Sequence, residues 1–294
     1  MPLPMTRPAI ALLHLLYRLL PASALGRLGE WLGRLLFVLA ASRRRIGATN
    51  LRLCFPELSE RERRRLLVAH FRALGRASLL EAVSWWGSRE QIDALVRLEG
   101  LEHFEAHVGR PLILLTPHFV GLNIGGVRLT LLPYRFASMY ARIRNPHIDR
   151  LMRQARSRFG PSLLISRHEG IKPALRAIRA GMPFYYLPDQ DFGLRDAIFV
   201  PFFGVPAATV TALPRLARIT GARVLPCVVR QEGPGYVVRF LPAWEDFPGK
   251  DVESDTRRMN AFIEDQVRQM PEQYFWLHRR FKTQPAGEPS VYGH

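Results

Sequence analysis

Apolar and polar stretches alternate along most of the chain and divide it into short strands and helices. Short apolar runs such as Leu112–Leu115 and Phe184–Leu187 are bounded by turn residues, which is typical of buried strands. In other segments, apolar residues recur every three or four positions, as at Leu67, Phe71 and Leu74, and this period predicts helices. Because strands and helices alternate, we expect an α/β fold with a central mixed sheet flanked by helices.

The remaining elements are predicted from the same pattern and from capping signals. Ser59 and Glu62 have the spacing of a capping box, which predicts a helix from this point to about Ala82. Further strands are expected at 136–140, 163–165, 224–229 and 236–241, and further helices at 89–96, 101–108, 147–159, 171–180, 209 or 211 to 220, and 255–268. The aromatic stretch Phe199–Gly204 is interpreted as a loop.

Two apolar runs, residues 9–20 and 24–41, precede this pattern. Charged residues interrupt both, so neither provides the roughly 20 consecutive apolar residues that a spanning helix needs. Trp31 and the adjacent Arg43–Arg45 favour helices that lie in the interface of an anionic membrane. Two buried helices that pack on the main domain are the alternative. We therefore predict an N-terminal membrane-associated helical segment, residues 1–45, and an α/β domain, residues 46–294.

The charge of the chain favours an anionic partner. Its 294 residues contain 42 lysines and arginines against 25 aspartates and glutamates, a formal net charge of +17. A phospholipid surface, an acidic protein or a nucleic acid would suit this excess. Because no nucleic-acid-binding module is recognisable, we expect no nucleic acid partner. Arginine greatly exceeds lysine, which suits the binding of phosphate and carboxylate, although a GC-rich gene would produce the same bias.

The sequence lacks the signatures of several other chemistries. Cys54 and Cys227 are far apart and have neither metal-ligand nor C-x-x-C spacing, so we expect no metal centre and no disulfide framework. There is no P-loop, no G-x-G-x-x-G and no G-x-S-x-G nucleophile motif. We therefore predict no bound cofactor and no covalent acyl-enzyme.

Polar side chains follow three predicted strands, at the edge where α/β sheets place their functional groups. They are His118 and Asn123, Arg142 and Arg144, and Asp189, Gln190 and Asp191. A histidine can accept the proton of an attacking hydroxyl near pH 7, and arginines can bind a phosphorylated substrate. If a helix begins just after His118, Asn123 lies a little over one turn further on and can face it. The set predicts acyl transfer to an alcohol with His118 as base; surface cations and loop-capping aspartates are the structural alternatives.

Six blocks of sequence occur in order along the chain. They are HFVGLN followed by Gly125-Gly126, RIRNPHID, YYLPDQDFG, FVPFFGVPAATVT, LPRLARITGA and PEQYFWLHRRFKTQPAG. Together they resemble the bacterial late acyltransferases of lipid A biosynthesis, from about Arg7 to Gly287. A single block would be a weak match, whereas six in order cover nearly the whole chain.

The resemblance implies a glycerolipid-acyltransferase type of fold with N-terminal membrane-associated helices, at the cytoplasmic face of the bacterial inner membrane. It implies transfer of a fatty acyl chain from acyl carrier protein or acyl-CoA to a hydroxyl of an anionic lipid A precursor. Another membrane lipid as acceptor is the alternative. His118 matches the catalytic base, and the resemblance places Arg144 and the residues Asp189, Gln190 and Asp191 in the substrate cleft.

Asn123 departs from the family motif, which is H-x-x-x-x-D or H-x-x-x-x-E. An amide can accept a hydrogen bond from the imidazole N–H, but it cannot stabilise an imidazolium by charge. Three explanations remain open. Asn123 holds the imidazole while Asp189 or Asp191 supplies the charge; the enzyme is slow or specialised for a different acceptor; or the protein has lost catalysis and keeps lipid or carrier binding.

Overall fold

A seven-stranded mixed sheet with helices on both faces forms the centre of the protein. The computed structural model describes residues 6–293. The strands are β1 (Val96–Glu99), β2 (Leu112–Leu115), β3 (Ala137–Tyr140), β4 (Leu163–Ser166), β5 (Phe184–Tyr186), β6 (Ala197–Phe202), β7 (Val205–Val210), β8 (Arg223–Glu232) and β9 (Gly235–Phe240). The helices are α1 (Thr6–Leu19), α2 (Ala22–Leu39), α3 (Ala41–Cys54), α4 (Glu60–Trp86), α5 (Arg89–Leu95), α6 (Leu101–Glu105), α7 (Leu122–Leu129), α8 (Pro146–Ala155), α9 (Lys172–Arg179), α10 (Ala212–Thr220) and α11 (Val252–Gln269).

The strand order of the sheet is β1-β9-β8-β2-β5-β3-β4. The five strands from β8 to β4 run parallel, whereas β9 is antiparallel to β8 and parallel to β1. This order makes β2, β5 and β3 neighbours, so the segments that follow them leave the sheet at the same edge. The predicted α/β class with a central mixed sheet flanked by helices is confirmed.

The central strand β2 is buried on both faces because all four of its residues are apolar. Leu112 and Leu114 belong to one apolar core, and Ile113 and Leu115 belong to the core on the other face of the sheet. This alternation follows from the two-residue period of a strand. The strand is therefore held rigidly between two packed layers, and so is the start of the segment that follows it.

Helix α2 packs on α4 with unusually close backbones. A Cβ atom added to Gly33 would lie 2.1 Å from the carbonyl oxygen of Phe71, and one added to Gly29 would lie 2.5 Å from the carbonyl oxygen of Gly75. Glycines are required here because no side chain fits between the two helices. The next helix, α3, spans the predicted boundary between residues 45 and 46, and the division into two segments stays a prediction.

The interpretation of Phe199–Gly204 as a loop is wrong. Strands β6 and β7 form an antiparallel hairpin in which Pro201 lies opposite Pro206. A two-stranded ribbon has free edges, where the missing proline N–H is tolerated. Its turn consists of Phe203 and Gly204, whose φ angles are 52° and 75°. Both angles are positive, as in a type I′ turn.

Candidate active site

His118 and Asp189 form a hydrogen-bonded pair at the carboxyl ends of the adjacent strands β2 and β5. The distance from His118 Nδ1 to Asp189 Oδ1 is 2.6 Å, and the backbone N–H of His118 donates to Asp189 Oδ2 at 2.9 Å. The side chain of Asp189 is 1% exposed and that of His118 is 20% exposed. Because the carboxylate holds Nδ1–H, the other ring nitrogen, Nε2, is left to act on a substrate.

The charge state of Asp189 suits this pairing. Burial opposes its ionisation, but the positive charge of His118 and the hydrogen bonds from His118 outweigh burial and lower the pKa of Asp189. The carboxylate is therefore ionised when His118 takes up a proton. An ionised partner of this kind orients the imidazole and stabilises the imidazolium.

A C-terminal segment fixes the loop that carries His118. The N–H of Phe275 donates to the carbonyl of His118 at 3.0 Å, and the N–H of Val120 donates to the carbonyl of Gln273 at 2.9 Å. His278 lies behind the pair, and its Nε2 accepts from the N–H of Asp191 at 3.0 Å. Burial lowers the pKa of His278 to about 4, so this ring is neutral at pH 7 and does not compete with His118 for a proton.

A cavity of about 440 Å³ opens beside His118. Most of its wall is apolar, and contributing side chains include Leu129, Phe136, Met139, Met152, Leu164 and Phe192. His118, Asn123 and Arg156 add polar groups to this wall. An apolar cavity of this size with a few convergent polar groups is typical of a ligand site.

Asn123 bonds to partners other than His118. Its Nδ2 donates to Glu81 Oε2 at 2.6 Å, and its Oδ1 accepts from Arg156 Nε at 2.9 Å. Helix α7 begins only at Leu122, so the expectation that a helix turns Asn123 toward His118 is not met. Of the two aspartates considered in the first explanation for Asn123, the structure pairs Asp189 with the imidazole.

Arg142 and Arg144 lie at the rim of the cavity. Both are exposed, and the alternate residues Ala141 and Ile143 line the cavity itself. The N–H of Ile143 donates to Asp149 Oδ1 at 2.8 Å, which fixes this loop. Neither arginine forms an ion pair within residues 6–293, so both guanidinium groups are available to an anionic ligand.

The three residues predicted after β5 have different surroundings. Asp189 is buried behind His118 and contacts it directly, and its predicted role in substrate binding stays a prediction. Gln190 is half-buried and lines the cavity. Asp191 is buried and accepts from Thr283 N–H and Oγ1 at 2.7 and 2.8 Å, contacts that hold the C-terminal segment in place. These contacts favour a structural role for Asp191.

The sequence reasoning missed Glu81 and Arg156. Glu81 lies 42 positions before Asn123, near the C-terminal end of α4, and no local motif marks it. Arg156 belongs to the basic helix predicted at 147–159, where one arginine among several carries no distinguishing signal. Only the packing of α4, α7 and α8 reveals that these residues meet at Asn123.

The comparisons with known proteins agree with one another. Residues 6–283 match the family model of the bacterial lipid A biosynthesis acyltransferases. The chain is 36% identical over 278 residues to a lipid A biosynthesis lauroyltransferase of Escherichia coli (strain K12), covering 93% of this chain and 90% of that protein. It is 35% identical over 272 residues to the myristoyltransferase of the same organism, covering 91% and 83%, and 31% identical over 280 residues to its palmitoleoyltransferase, covering 93% and 90%.

These matches identify the chain as an acyltransferase. It belongs to the bacterial lipid A biosynthesis acyltransferase family, as the six sequence blocks predicted. Membership of this family supports acyl transfer in lipid A biosynthesis as the reaction class.

Proposed function

We propose that the protein transfers a fatty acyl chain from acyl carrier protein to a hydroxyl of a lipid A precursor, with His118 as general base. The observation that carries the proposal is the position of His118, hydrogen-bonded to Asp189 behind it, in the wall of a largely apolar cavity. The cavity suits an acyl chain, because burial of methylene groups against its largely apolar wall is favourable.

The proposed chemistry uses Nε2 of His118. The acceptor hydroxyl gives its proton to Nε2 as its oxygen attacks the thioester carbonyl carbon, and the resulting oxyanion collapses with loss of the thiolate. The thiolate then takes the proton from the imidazolium, which restores the neutral ring. Asp189 stabilises the imidazolium between these two proton transfers.

The basic rim of the cavity supports an anionic donor and an anionic acceptor. Arg142 and Arg144 are exposed there, and Arg150 and Arg153 are exposed on the following helix, α8. Exposed arginines attract an acidic protein or a phosphate over a distance and bind it by paired hydrogen bonds. A larger acidic surface is the one reason to prefer acyl carrier protein over acyl-CoA at this rim. Both donors are therefore compared in the assay.

The function is tested by incubating the purified protein with a lipid A precursor and either acyl carrier protein or coenzyme A loaded with fatty acids of different length. We expect mass spectrometry to detect a product heavier by one acyl chain, formed faster from the carrier protein. Reactions without donor are the control. Transfer only to a phospholipid acceptor would favour the alternative substrate, and binding of the precursor without transfer would favour the catalytically impaired homologue.

Association with the inner membrane at its cytoplasmic face is part of the same proposal. No helix within residues 6–293 is long and apolar enough to cross a bilayer. Nevertheless, α2 exposes a band of large apolar side chains, among them Trp31 at 67%, Leu35 at 52% and Leu39 at 67% exposure. Arg34 lies over the ring of Trp31, and Arg43 is exposed just beyond the band. An exposed apolar band beside cations suits the headgroup region of an anionic membrane.

We expect the double substitution Leu35→Asp/Leu39→Asp to weaken binding to vesicles by at least about tenfold, because two side chains lose their transfer into the membrane and two anionic charges are added. Vesicle flotation with phosphatidylethanolamine and phosphatidylglycerol measures this effect. Ile219→Asp on α10, where the isoleucine is 53% exposed, is the matched control and retains binding. Equal binding of the double variant and the control would contradict membrane contact by α2.

A further inference from the structure

We propose that Glu81 is a positioning residue of the active site, which acts through Asn123 to hold the Arg156 guanidinium in the cavity wall for an oxygen-bearing group of the substrate. The inference rests on the proposed acyl transfer and deepens it. Glu81 lies on α4, Asn123 on α7, and Arg156 immediately after α8, so the three residues connect three separate helices at the cavity.

The hydrogen bonds between the three residues have a defined direction. Asn123 donates from Nδ2 to Glu81 and accepts at Oδ1 from Arg156 Nε–H. A carboxamide can do both at once, because it carries a donor on one side and an acceptor on the other. A carboxylate at position 123 could accept from Arg156, but it would face the oxygen of Glu81 at a distance of 2.6 Å. Two ionised carboxylates cannot share so short a contact unless one takes up a proton.

This geometry gives a physical reason for the amide at position 123. The negative charge that would otherwise stand there is present one hydrogen bond away, on Glu81. Glu81 therefore compensates the charge of Arg156 while Asn123 transmits the orientation. In this arrangement Asn123 belongs to an intact site and does not mark a damaged one.

The guanidinium has groups left for a ligand. Arg156 lines the cavity, and within residues 6–293 its side chain makes no hydrogen bond other than that from Nε. Its two terminal nitrogens are therefore available to a carbonyl, oxyanion or phosphate oxygen. Tyr185, another cavity residue, donates its hydroxyl to the carbonyl of Leu122 at 3.2 Å and is not a competing partner.

The surroundings of Glu81 move the pKa of its carboxyl close to neutral pH. Burial raises the pKa of Glu81 to about 7, against the opposing effects of the hydrogen bond from Asn123 and the charge of Arg156. Within residues 6–293, the Tyr236 phenol on β9 also interacts with Glu81, and it is neutral because burial raises its pKa. A carboxyl whose pKa is higher in the folded protein than in the unfolded chain costs stability as the pH rises, and the full cost is present above the folded value. Ionisation of Glu81, which predominates above this pKa, therefore costs stability, as is common for functional groups.

The test compares the wild type with Glu81→Gln, Asn123→Asp and the double variant Glu81→Gln/Asn123→Asp. We expect each single variant to lose at least about tenfold in kcat/KM, whereas the double variant returns to within about threefold of the wild type. In the double variant an amide at position 81 donates to a carboxylate at position 123, which accepts from Arg156, so that the charge and every hydrogen bond are restored. Additive losses in the double variant, or a gain of activity in Asn123→Asp, would overturn the proposal.

Thermal unfolding at pH 8 separates positioning from a general structural role. Glu81→Gln should have a Tm equal to or above that of the wild type, because it removes the ionised carboxyl, while Asn123→Asp should have a lower Tm. A fall in both Tm and activity of Glu81→Gln would indicate a structural role and would overturn the proposal. Glu60→Gln, an exposed position on the same helix, is the matched control.

The kinetic constants of the two single variants, compared with those of the wild type, identify the group that Arg156 binds. A rise in KM for the lipid acceptor alone indicates a phosphate of the acceptor, and a fall in kcat with both KM values unchanged indicates the developing oxyanion. A wild-type protein that transfers no acyl group to any lipid would reject the proposed function itself. If the wild type is active and the losses of the two single variants add up in the double variant, only the role of Glu81 is rejected.

Discussion

Asp189→Asn is expected to lower kcat by about 10³–10⁴-fold while the fold is retained, by analogy with the corresponding substitution in serine proteases. The reason lies in the two hydrogen bonds between Asp189 and His118. The backbone N–H of His118 is always a donor, so it requires the carbonyl oxygen of the new asparagine at the place of Oδ2. The amide NH2 then occupies the place of Oδ1 and faces Nδ1 of the imidazole. His118 must present Nδ1 as an acceptor and carry its proton on Nε2, which is the wrong tautomer for a base.

The measurement is the initial rate of acyl transfer, with thermal unfolding as the check on folding. Asp191→Asn is a matched comparison, since Asp191 is also buried and lies two residues further on. It should lower Tm, because Asp191 accepts from both donors of Thr283, and it should leave kcat within a few fold. If Asp189→Asn keeps most of the wild-type rate, the carboxylate does not serve His118. A selective loss of kcat in Asp191→Asn would restore the earlier interpretation of Asp191 as a substrate residue.

Local signals in the sequence were sufficient for most of the fold. The capping box of Ser59 and Glu62 is present at the start of α4, since both reciprocal hydrogen bonds form. The apolar run Leu112–Leu115 forms the central strand, because a strand covered on both faces needs no polar positions. Signals of this kind lie within a few residues of the element they define, which is why they can be recognised in one sequence.

The errors in the predicted fold have specific causes. Pro201 and Pro206 argue against strands, yet they lie opposite one another in a two-stranded hairpin with free edges. The turn of that hairpin is Phe203-Gly204, not the asparagine-glycine pair that usually marks such a turn. Helix α3 was not predicted because its apolar stripe is short. Ile46 and Leu51 belong to this stripe, and the charged run Arg43–Arg45 precedes it.

The residues of the candidate site that follow neighbouring strands could be predicted from the sequence. Those that meet only through the packing of helices could not. His118 and Asp189 meet because they follow adjacent parallel strands, and polar residues after strands can be read from the sequence. The choice between Asp189 and Asp191 depends on which side chain turns toward His118 and which toward Thr283. The contact of Glu81 with Asn123 joins helices far apart in the chain and leaves no periodic trace.

His118→Asn is expected to lower kcat by about 10²–10⁴-fold, the range that a general base contributes. The amide of asparagine can replace Nδ1–H and keep the hydrogen bond to Asp189, which is now 2.6 Å long. Nε2 has no counterpart in asparagine, so the variant loses the base but not the partner of the buried carboxylate. Folding should therefore be retained, and the loss should appear in kcat with little change in KM for either substrate.

His118→Ala provides a second and independent readout. It removes the whole ring and leaves a space that is continuous with the cavity beside His118. Added imidazole can enter this space, bond to Asp189 and accept the proton of the hydroxyl. We expect a partial recovery of the rate that increases with imidazole concentration in His118→Ala and not in His118→Asn, whose side chain fills part of the space. Near-wild-type transfer by either variant without imidazole would show that His118 is not the base. If imidazole fails to rescue a folded His118→Ala variant, the ring positions other groups and does not accept the proton.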